Sequence, residues 1–251
     1  MKKILLVMFL LSGMVFAQGN DVSEKNIPNN DLQGKCNSPY SFSSTKEECD
    51  QCKNRSFIEG HCVPQIRRIS RKPIIYLYPT VPTEVKVSVG KPENLTHTYP
   101  KYTDGWSVLA HPNGNLTDKK GHSYYALYWE GIHTNNSKDQ DGFIVKGSDT
   151  IPFLEEKLAI LGLSEREANE FIIYWLPVLE KNKYNLIRFA TKEEIEDNMP
   201  LFITPKPDTL IRVMMKYKPV QKSKTISPQQ LPSTPKRTGF VAVEWGGTLL
   251  K

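Results

Sequence analysis

After residue 17 this 251-residue chain has no apolar run approaching the roughly twenty residues needed to cross a bilayer. No membrane span is therefore expected in a mature product. The chain has no Gly-x-Ser-x-Gly elbow, no phosphate-binding loop, no dinucleotide fingerprint and no His-Glu-x-x-His. Hydrolase and nucleotide chemistry built on those motifs is disfavoured, and no cofactor is implied. Lys and Arg number 33 against 27 Asp and Glu, but the excess is scattered. Arg67-Arg68, Lys119-Lys120 and the basic residues of 216–237 are separated by many carboxylates. No concentrated basic stripe with stacking aromatics marks a nucleic-acid partner. Cysteine is equally scarce: Cys36, Cys49, Cys52 and Cys62 are the full complement.

What the chain does have begins at its start. Lys2 and Lys3 precede an apolar run from Ile4 to Phe16, and Val15-Phe16-Ala17 forms a small-residue cleavage site before Gln18. A basic head, an apolar stretch too short to span a bilayer and a cleavage site together predict a signal peptide over residues 1–17. The expected location is exported, periplasmic or extracellular. Met14, not cysteine, follows Ser12-Gly13, so no lipid anchor is expected there. Residues 18–33 are polar and read as a disordered lead-in.

The cysteines fall within a segment at 34–64, spaced Cys36-x12-Cys49-x2-Cys52-x9-Cys62. In an exported chain this predicts two disulfides, with three connectivities open. So short a segment cannot bury enough apolar area by itself, and cross-links would act as its staple. A zinc site using the cysteines, with His61 as a spare ligand, is the rival reading; only Cys49-x2-Cys52 has metal-site spacing. A redox Cys-x-x-Cys fits worse, since Glu47, Glu48 and Asp50 raise a thiol pKa that such chemistry needs lowered.

Residues 72–251 read as one α+β domain. Thr83 to Val89 alternates strictly, with Val85, Val87 and Val89 on one face. Trp106–His111, Ser123–Glu130 and Gly142–Lys146 are further strands, the first closed by a Pro112-Asn113-Gly114 turn. Helical signals then take over. Asp149 is placed to cap a helix through Leu161 that Gly162 stops. Ser164 with Glu167 forms a capping box, and Ala168, Phe171, Ile172 and Trp175 recur at helical spacing until Pro177 kinks or ends the helix. Strands return at 185–189, 201–204, 209–217 and 240–245, interrupted by a flexible, proline-bearing loop at 221–237. Prolines bracketing Lys72–Pro79 and Pro205–Pro207 place those runs at sheet edges or strand entries, where a tyrosine-bearing edge offers a binding face. The expected architecture is a mainly antiparallel sheet or sandwich carrying a two-helix hairpin.

Candidate chemistry is sparse. Trp129-Glu130 and Glu244-Trp245 place a carboxylate beside a tryptophan at two strand ends. Paired carboxylates are the apparatus of glycoside hydrolysis, and Tyr128, Trp129 and Trp245 offer flat faces to sugar rings. Strand alternation argues the other way: with Trp129 and Trp245 inward, both glutamates point out. Glu167, Glu170 and Tyr174 form one polar helical stripe that could lie over a cleft, although capping already explains Glu167. His61, His97, His111, His122 and His133 never fall at metal-ligand spacing, and Asp139-Gln140-Asp141-Gly142 lacks the downstream glutamate of a calcium loop, so no metal site is expected.

Several phrases occur in one order: KPIIYLYP at 72–79, THTYPKYTDGW at 96–106, YWEG at 128–131, EREANEFIIYWLPVLEKNKYNLI at 165–187, TPKPDTLIRV at 204–213 and VEWGGT at 243–248. Together they resemble an uncharacterised family of bacterial exported proteins with KPxIYLYP, YWLP and EWGG motifs. The resemblance covers the main body and implies a secreted bacterial protein of one globular domain, with no catalytic residues to carry over. The leading expectation is a non-enzymatic binding or surface-associated protein, its partner a cell-envelope protein or a glycan. The alternative is a glycan hydrolase using Glu130 and Glu244. A third is a metal-dependent module using histidines or Asp139 and Asp141.

Overall fold

The computed structural model describes residues 30–38, 40–52, 55–58, 60–64, 67–134, 141–223 and 225–250. The expected signal peptide, the lead-in up to residue 29, and Asp139 lie outside the described residues. The chain divides into two compact units after Gln65.

The first unit is small and cross-linked. It comprises helix α1 (Asn30–Asn37), strand β1 (Phe42–Ser43), helix α2 (Lys46–Asp50), and strands β2 (Arg55–Ile58) and β3 (His61–Pro64). The strands form an antiparallel sheet in the order β1-β3-β2. Disulfides join Cys36 to Cys52 and Cys49 to Cys62. Cys49 and Cys52 thus belong to different bridges, which removes both the zinc and the Cys-x-x-Cys readings. The bridges close segments of 16 and 13 residues, worth about 3 kcal/mol each by chain entropy. Leu32 packs on this cystine core, so residues 30–33 are helical where a disordered lead-in was expected. The buried Arg55 guanidinium stacks over Phe42 and donates to the carbonyls of Cys36, Ser38, Tyr40 and Cys62. One side chain thereby satisfies backbone oxygens that so thin a module cannot pair in a sheet.

The second unit is α+β, as expected, and mostly antiparallel. Its larger sheet contains β4 (Arg67–Tyr78), β6 (Leu95–Tyr99), β10 (Leu127–Thr134), β11 (Phe143–Lys146), β12 (Tyr184–Phe189), β14 (Thr209–Val220) and β15 (Val241–Leu249). Their order is β11-β12-β14-β15-β4-β10-β6, with only β14 and β15 parallel. The smaller sheet is β13-β5-β7-β8-β9, from Leu201–Thr204, Thr83–Val89, Trp106–Ala110, Leu116–Thr117 and Ser123–Tyr124. Helices α3 (Thr150–Ile160) and α4 (Glu165–Leu179) cover one face of the larger sheet. The smaller sheet covers the other face, and helix α5 (Lys192–Asn198) lies beside it against β14.

Strands β4 and β15 are therefore buried on both sides, and their alternation divides residues between two cores. Ile74, Tyr76, Val243 and Trp245 join Phe171 and Trp175 on the helical side. Ile75, Leu77 and Ala242 join Val85, Val87, Trp106 and Trp129 on the other. Several expectations change in consequence. The run at 123–130 is two strands, because the chain leaves one sheet at Tyr124 and enters the other at Leu127. Asp149 stands at the N-cap of α3 without a capping bond, since a tight turn at 147–149 feeds the helix. Pro177 sits inside α4, which continues to Leu179. Helix α5 was not anticipated, although Thr191 and Glu194 form a full capping box at its start.

The proline-bracketed run at 72–79 lies inside a central strand, where a sheet edge or strand entry was expected. Pro73 is accommodated by a bulge in which Lys72 adopts φ 53, and the register with β15 shifts between Trp245 and Gly247. Gly246 and Gly247 make the room. A Cβ on Gly246 would stand 3.0 Å from Pro73, and one on Gly247 would stand 2.7 Å from the Trp175 ring and 2.9 Å from the Met215 carbonyl oxygen. Neither neighbour of Gly247 can retreat, since Trp175 is fully buried. Gly247→Ala is expected to destabilise the protein by about 1–3 kcal/mol through overpacking. A urea midpoint unchanged from that of the parent would contradict this account.

Candidate functional site

The site begins with α4. Its capping box is formed: the Ser164 N–H donates to Glu167 at 2.8 Å, and the Glu167 N–H donates to the Ser164 hydroxyl at 3.4 Å. Phe171, Trp175 and Leu179 then face the sheet. That rotation leaves Glu167, Glu170 and Tyr174 as a stripe along one flank, about 10 Å long at the helical rise per residue. Strand β4 supplies the facing residues Tyr76 and Tyr78, which stack with ring centroids 6.2 Å apart. Strand β10 supplies Tyr128 and Glu130, and the segment leading into it supplies Tyr125.

Each of the three carboxylates lies against a tyrosine. Glu167 is fully buried, accepts from Arg237 at 2.8 and 3.0 Å, and neighbours the Tyr78 hydroxyl. Burial pushes its carboxyl up, but Arg237, the Ser164 N–H and Tyr78 outweigh it and hold the group below the ordinary value. Glu170 accepts from the Tyr76 hydroxyl at 2.7 Å and lies 3.7 Å from Arg166. Burial and this bond together push the Tyr76 phenol well above its ordinary range. Glu130 accepts from the Lys72 backbone N–H at 3.3 Å and lies 3.9 Å from the His97 imidazole. Burial, and then the charge of Glu130, push Tyr128 up to about 12. Tyr174 is raised by the same two causes, against an opposing pull from Arg71.

The row is buried at one end and open at the other. Tyr76 is 2 % exposed, whereas Tyr125 is 48 % exposed. Tyr128, Tyr174, Glu130 and Glu170 are half-buried, and Lys72 sets its ammonium 5.2 Å from the Tyr174 ring. The open end coincides with the bulge, so the backbone of Lys72 at φ 53 is part of the shelf. Raised phenols stay protonated at neutral pH, so they are placed to donate hydrogen bonds and to stack. The arrangement is a polar, ring-faced surface with carboxylate acceptors and cationic donors.

Of the residues singled out from sequence, the structure brings Tyr128 and Glu130 together with the Glu167–Glu170–Tyr174 stripe. It separates them from Glu244. Glu244 is fully buried on the opposite face of the sheet, accepting from Trp129 Nε1 at 2.9 Å and Arg212 Nε at 2.6 Å. Outward placement was expected, but its strand has no outward face. Glu130 and Glu244 therefore share no cleft, and the carboxylate pair of the hydrolase reading does not assemble. Trp129 and Trp245, 2 % and 0 % exposed, belong to the two cores and offer no face to a ligand.

The histidines stay apart: His97 faces Glu130, His122 pairs with Asp118 at 3.1 Å, and His133 meets Ser70 at 3.0 Å. Asp141 is engaged by Arg188 at 2.7 Å. Among the described residues, no group of three or more His, Cys, Asp or Glu is arranged to hold a metal. No helix of the described residues is long and apolar enough to cross a membrane. Sequence reasoning noted Tyr76 and Tyr78 only as a tyrosine-bearing edge, unconnected to the α4 stripe, and missed Tyr125 and Arg237. Tyr76 and Tyr78 had their signal in the period-two alternation of Ile74, Tyr76 and Tyr78; Arg237 had none, standing at the end of the polar loop 221–237. Comparison with protein-family models, curated proteins and solved structures finds no match.

Where α5 covers the sheet, the seam is ionic. Arg188 and Lys216 hold Glu194 at 2.6 and 2.9 Å, and Arg212 bridges Glu196 and Glu244. Burial pushes the Glu194 carboxyl up, but Arg188, the Thr191 N–H and Lys216 lower it to about 2. Its unfolded value is about 4.3. A depressed folded pKa contributes stability that is present above the unfolded value and lost as pH falls through the folded one. Thermal stability should therefore fall most steeply between about pH 4.5 and pH 2. Glu194→Gln should lower stability at pH 7 and flatten that acid limb. A variant with an unchanged acid limb would remove Glu194 from the explanation.

Proposed function

We propose that this is an exported, non-enzymatic binding protein, and that the shelf formed by Tyr125, Tyr128, Tyr174, Glu130 and Glu170 receives a glycan of the cell envelope. The observation that carries the reading is the row of tyrosine–carboxylate pairs passing from buried to exposed along α4. Sugar rings present apolar C–H faces edged by hydroxyls. Half-exposed tyrosines match the faces, while carboxylates and guanidinium groups take and give hydrogen bonds at the rim. The Tyr128 hydroxyl is engaged by Glu130 and, behind the shelf, the Tyr76 hydroxyl by Glu170, which holds those rings before a ligand arrives and lowers the ordering cost of binding. Two disulfides in the first unit suit an oxidising compartment, which supports export.

The test is retention of the purified protein on immobilised envelope polysaccharides, peptidoglycan included, with release of reducing ends followed in parallel. Binding without turnover is expected. The double substitution Tyr125→Ala with Tyr128→Ala should weaken it about ten-fold or more, the loss expected from removing two stacking faces, with little change in melting temperature. Failure to retain any polysaccharide, or binding indifferent to both tyrosines, would overturn the glycan assignment.

A further inference from the structure

A cavity of about 610 Å³ lies at the ends of β12 and β14, beneath the connection from β14 to β15. Its walls are mainly apolar, with Leu161, Phe189, Ile195, Leu210, Ile211 and Leu231 contributing. None of Tyr125, Tyr128, Glu130, Glu170 and Tyr174 lines it. The volume falls in the range that takes a small organic ligand.

Its roof is built. Gln229, buried, uses its side-chain amide as a substitute peptide group, accepting from the Phe189 N–H at 2.8 Å and donating to the Phe189 carbonyl at 2.6 Å. Eight residues on, Arg237 is tied to Glu167 and to the Gly162 carbonyl at 3.0 Å. Pro235 rests on Gly162, where a Cβ would come within 2.5 Å. The arch from 230 to 236 is thus fastened at both ends and stiffened by Pro232 and Pro235, so the space beneath it is pre-formed. Leu210 remains 41 % exposed in its wall.

One wall carries a polar group with capacity to spare. The Arg212 side chain is 6 % exposed and lines the cavity. A guanidinium has five N–H groups. Three are engaged, by Glu244, Glu196 and the Met199 carbonyl. Each nitrogen thus has one acceptor, a second N–H remains on each of Nη1 and Nη2, and two carboxylates already surround this one cation. Glu193, Glu196 and Glu244 outnumber Lys192 and Arg212 here, so a further carboxylate meets net negative charge, whereas a neutral carbonyl oxygen can accept from Arg212.

We infer that this cavity binds a neutral acyl compound, an ester or amide whose carbonyl accepts from Arg212 and whose hydrocarbon body fills the apolar walls. The site is separate from the shelf and does not depend on the glycan reading. It is tested with the intact protein by titrating octanamide and octanoate at pH 7, following binding by calorimetry. Octanamide is expected to bind, with octanoate weaker by about ten-fold or more because its charge must enter beside Glu196. Leu210→Glu and Leu231→Asp, both on partly exposed wall positions, should each abolish octanamide binding while leaving the melting temperature within a few degrees of the parent's. Octanoate binding as tightly as octanamide, octanamide binding that survives both substitutions, or no binding at low millimolar octanamide would each overturn the inference.

Discussion

Burial of the central strands of the larger sheet on both faces is the constraint from which the rest of the main unit follows. In β15 every residue from Val241 to Thr248 is buried. A strand so placed has no solvent side, and any polar residue in it must find partners inside. Glu244 is the one carboxylate in this strand, and Trp129 and Arg212 converge on it. Arg212 is drawn inward in turn and needs Glu196 and the Met199 carbonyl, which anchor α5. A single buried charge thereby recruits a strand, a ring and a helix. Such a network contributes little to net stability against an apolar equivalent, but losing one member leaves an uncompensated charge.

The same double burial accounts for the glycines that follow Trp245. Two cores meet along β4 and β15, and the ring of Trp175 reaches the sheet only where β15 has no side chain. Gly247 supplies that gap, while Gly246 clears the Pro73 bulge. The bulge breaks the β4 ladder opposite β10, turns the Lys72 N–H toward Glu130, and so creates the open end of the shelf. Core packing and the candidate binding face are two consequences of one backbone irregularity.

Much of the main unit was legible in sequence because its signals were local. Val85, Val87 and Val89 alternate; Ser164 and Glu167 cap a helix; Phe171 and Trp175 recur at its spacing. The layer architecture was less so. Alternation in Phe240–Trp245 identifies two faces but does not say that both are covered, which is why Glu244 was expected in solvent. Thr191-Lys192-Glu193-Glu194 carried the signal for α5, masked by the strands crowded around it. Disulfides were legible as a pair, but their connectivity depends on how α1 and α2 dock, a tertiary matter. Within the shelf, Glu167, Glu170 and Tyr174 were readable from helical spacing. Their partners Tyr76, Tyr78 and Tyr125 come from segments roughly forty to a hundred residues away, and no periodicity links them.

The position of the shelf has its own physical logic. Helices α3 and α4 bury the apolar residues of β11, β12, β14, β15 and β4, and there the helical layer stops. Strands β10 and β6 continue the sheet beyond it, so Tyr128 and Glu130 lie on a sheet face with no helix above. An apolar pair at this step would be an aggregation hazard. A plain array of charges would leave the flank of α4 unpacked. Tyrosine resolves both demands, since its ring packs against the helix while its hydroxyl meets a glutamate. The inner rings of Tyr76 and Tyr78 lie parallel, while Tyr125 is tilted by 43° to Tyr76. Tyr76 with Glu170 anchors the row inside the protein, and Tyr125 carries it into solvent. A ligand at this candidate face would therefore meet side chains whose inner partners, Tyr76 and Glu170, are already held by the core.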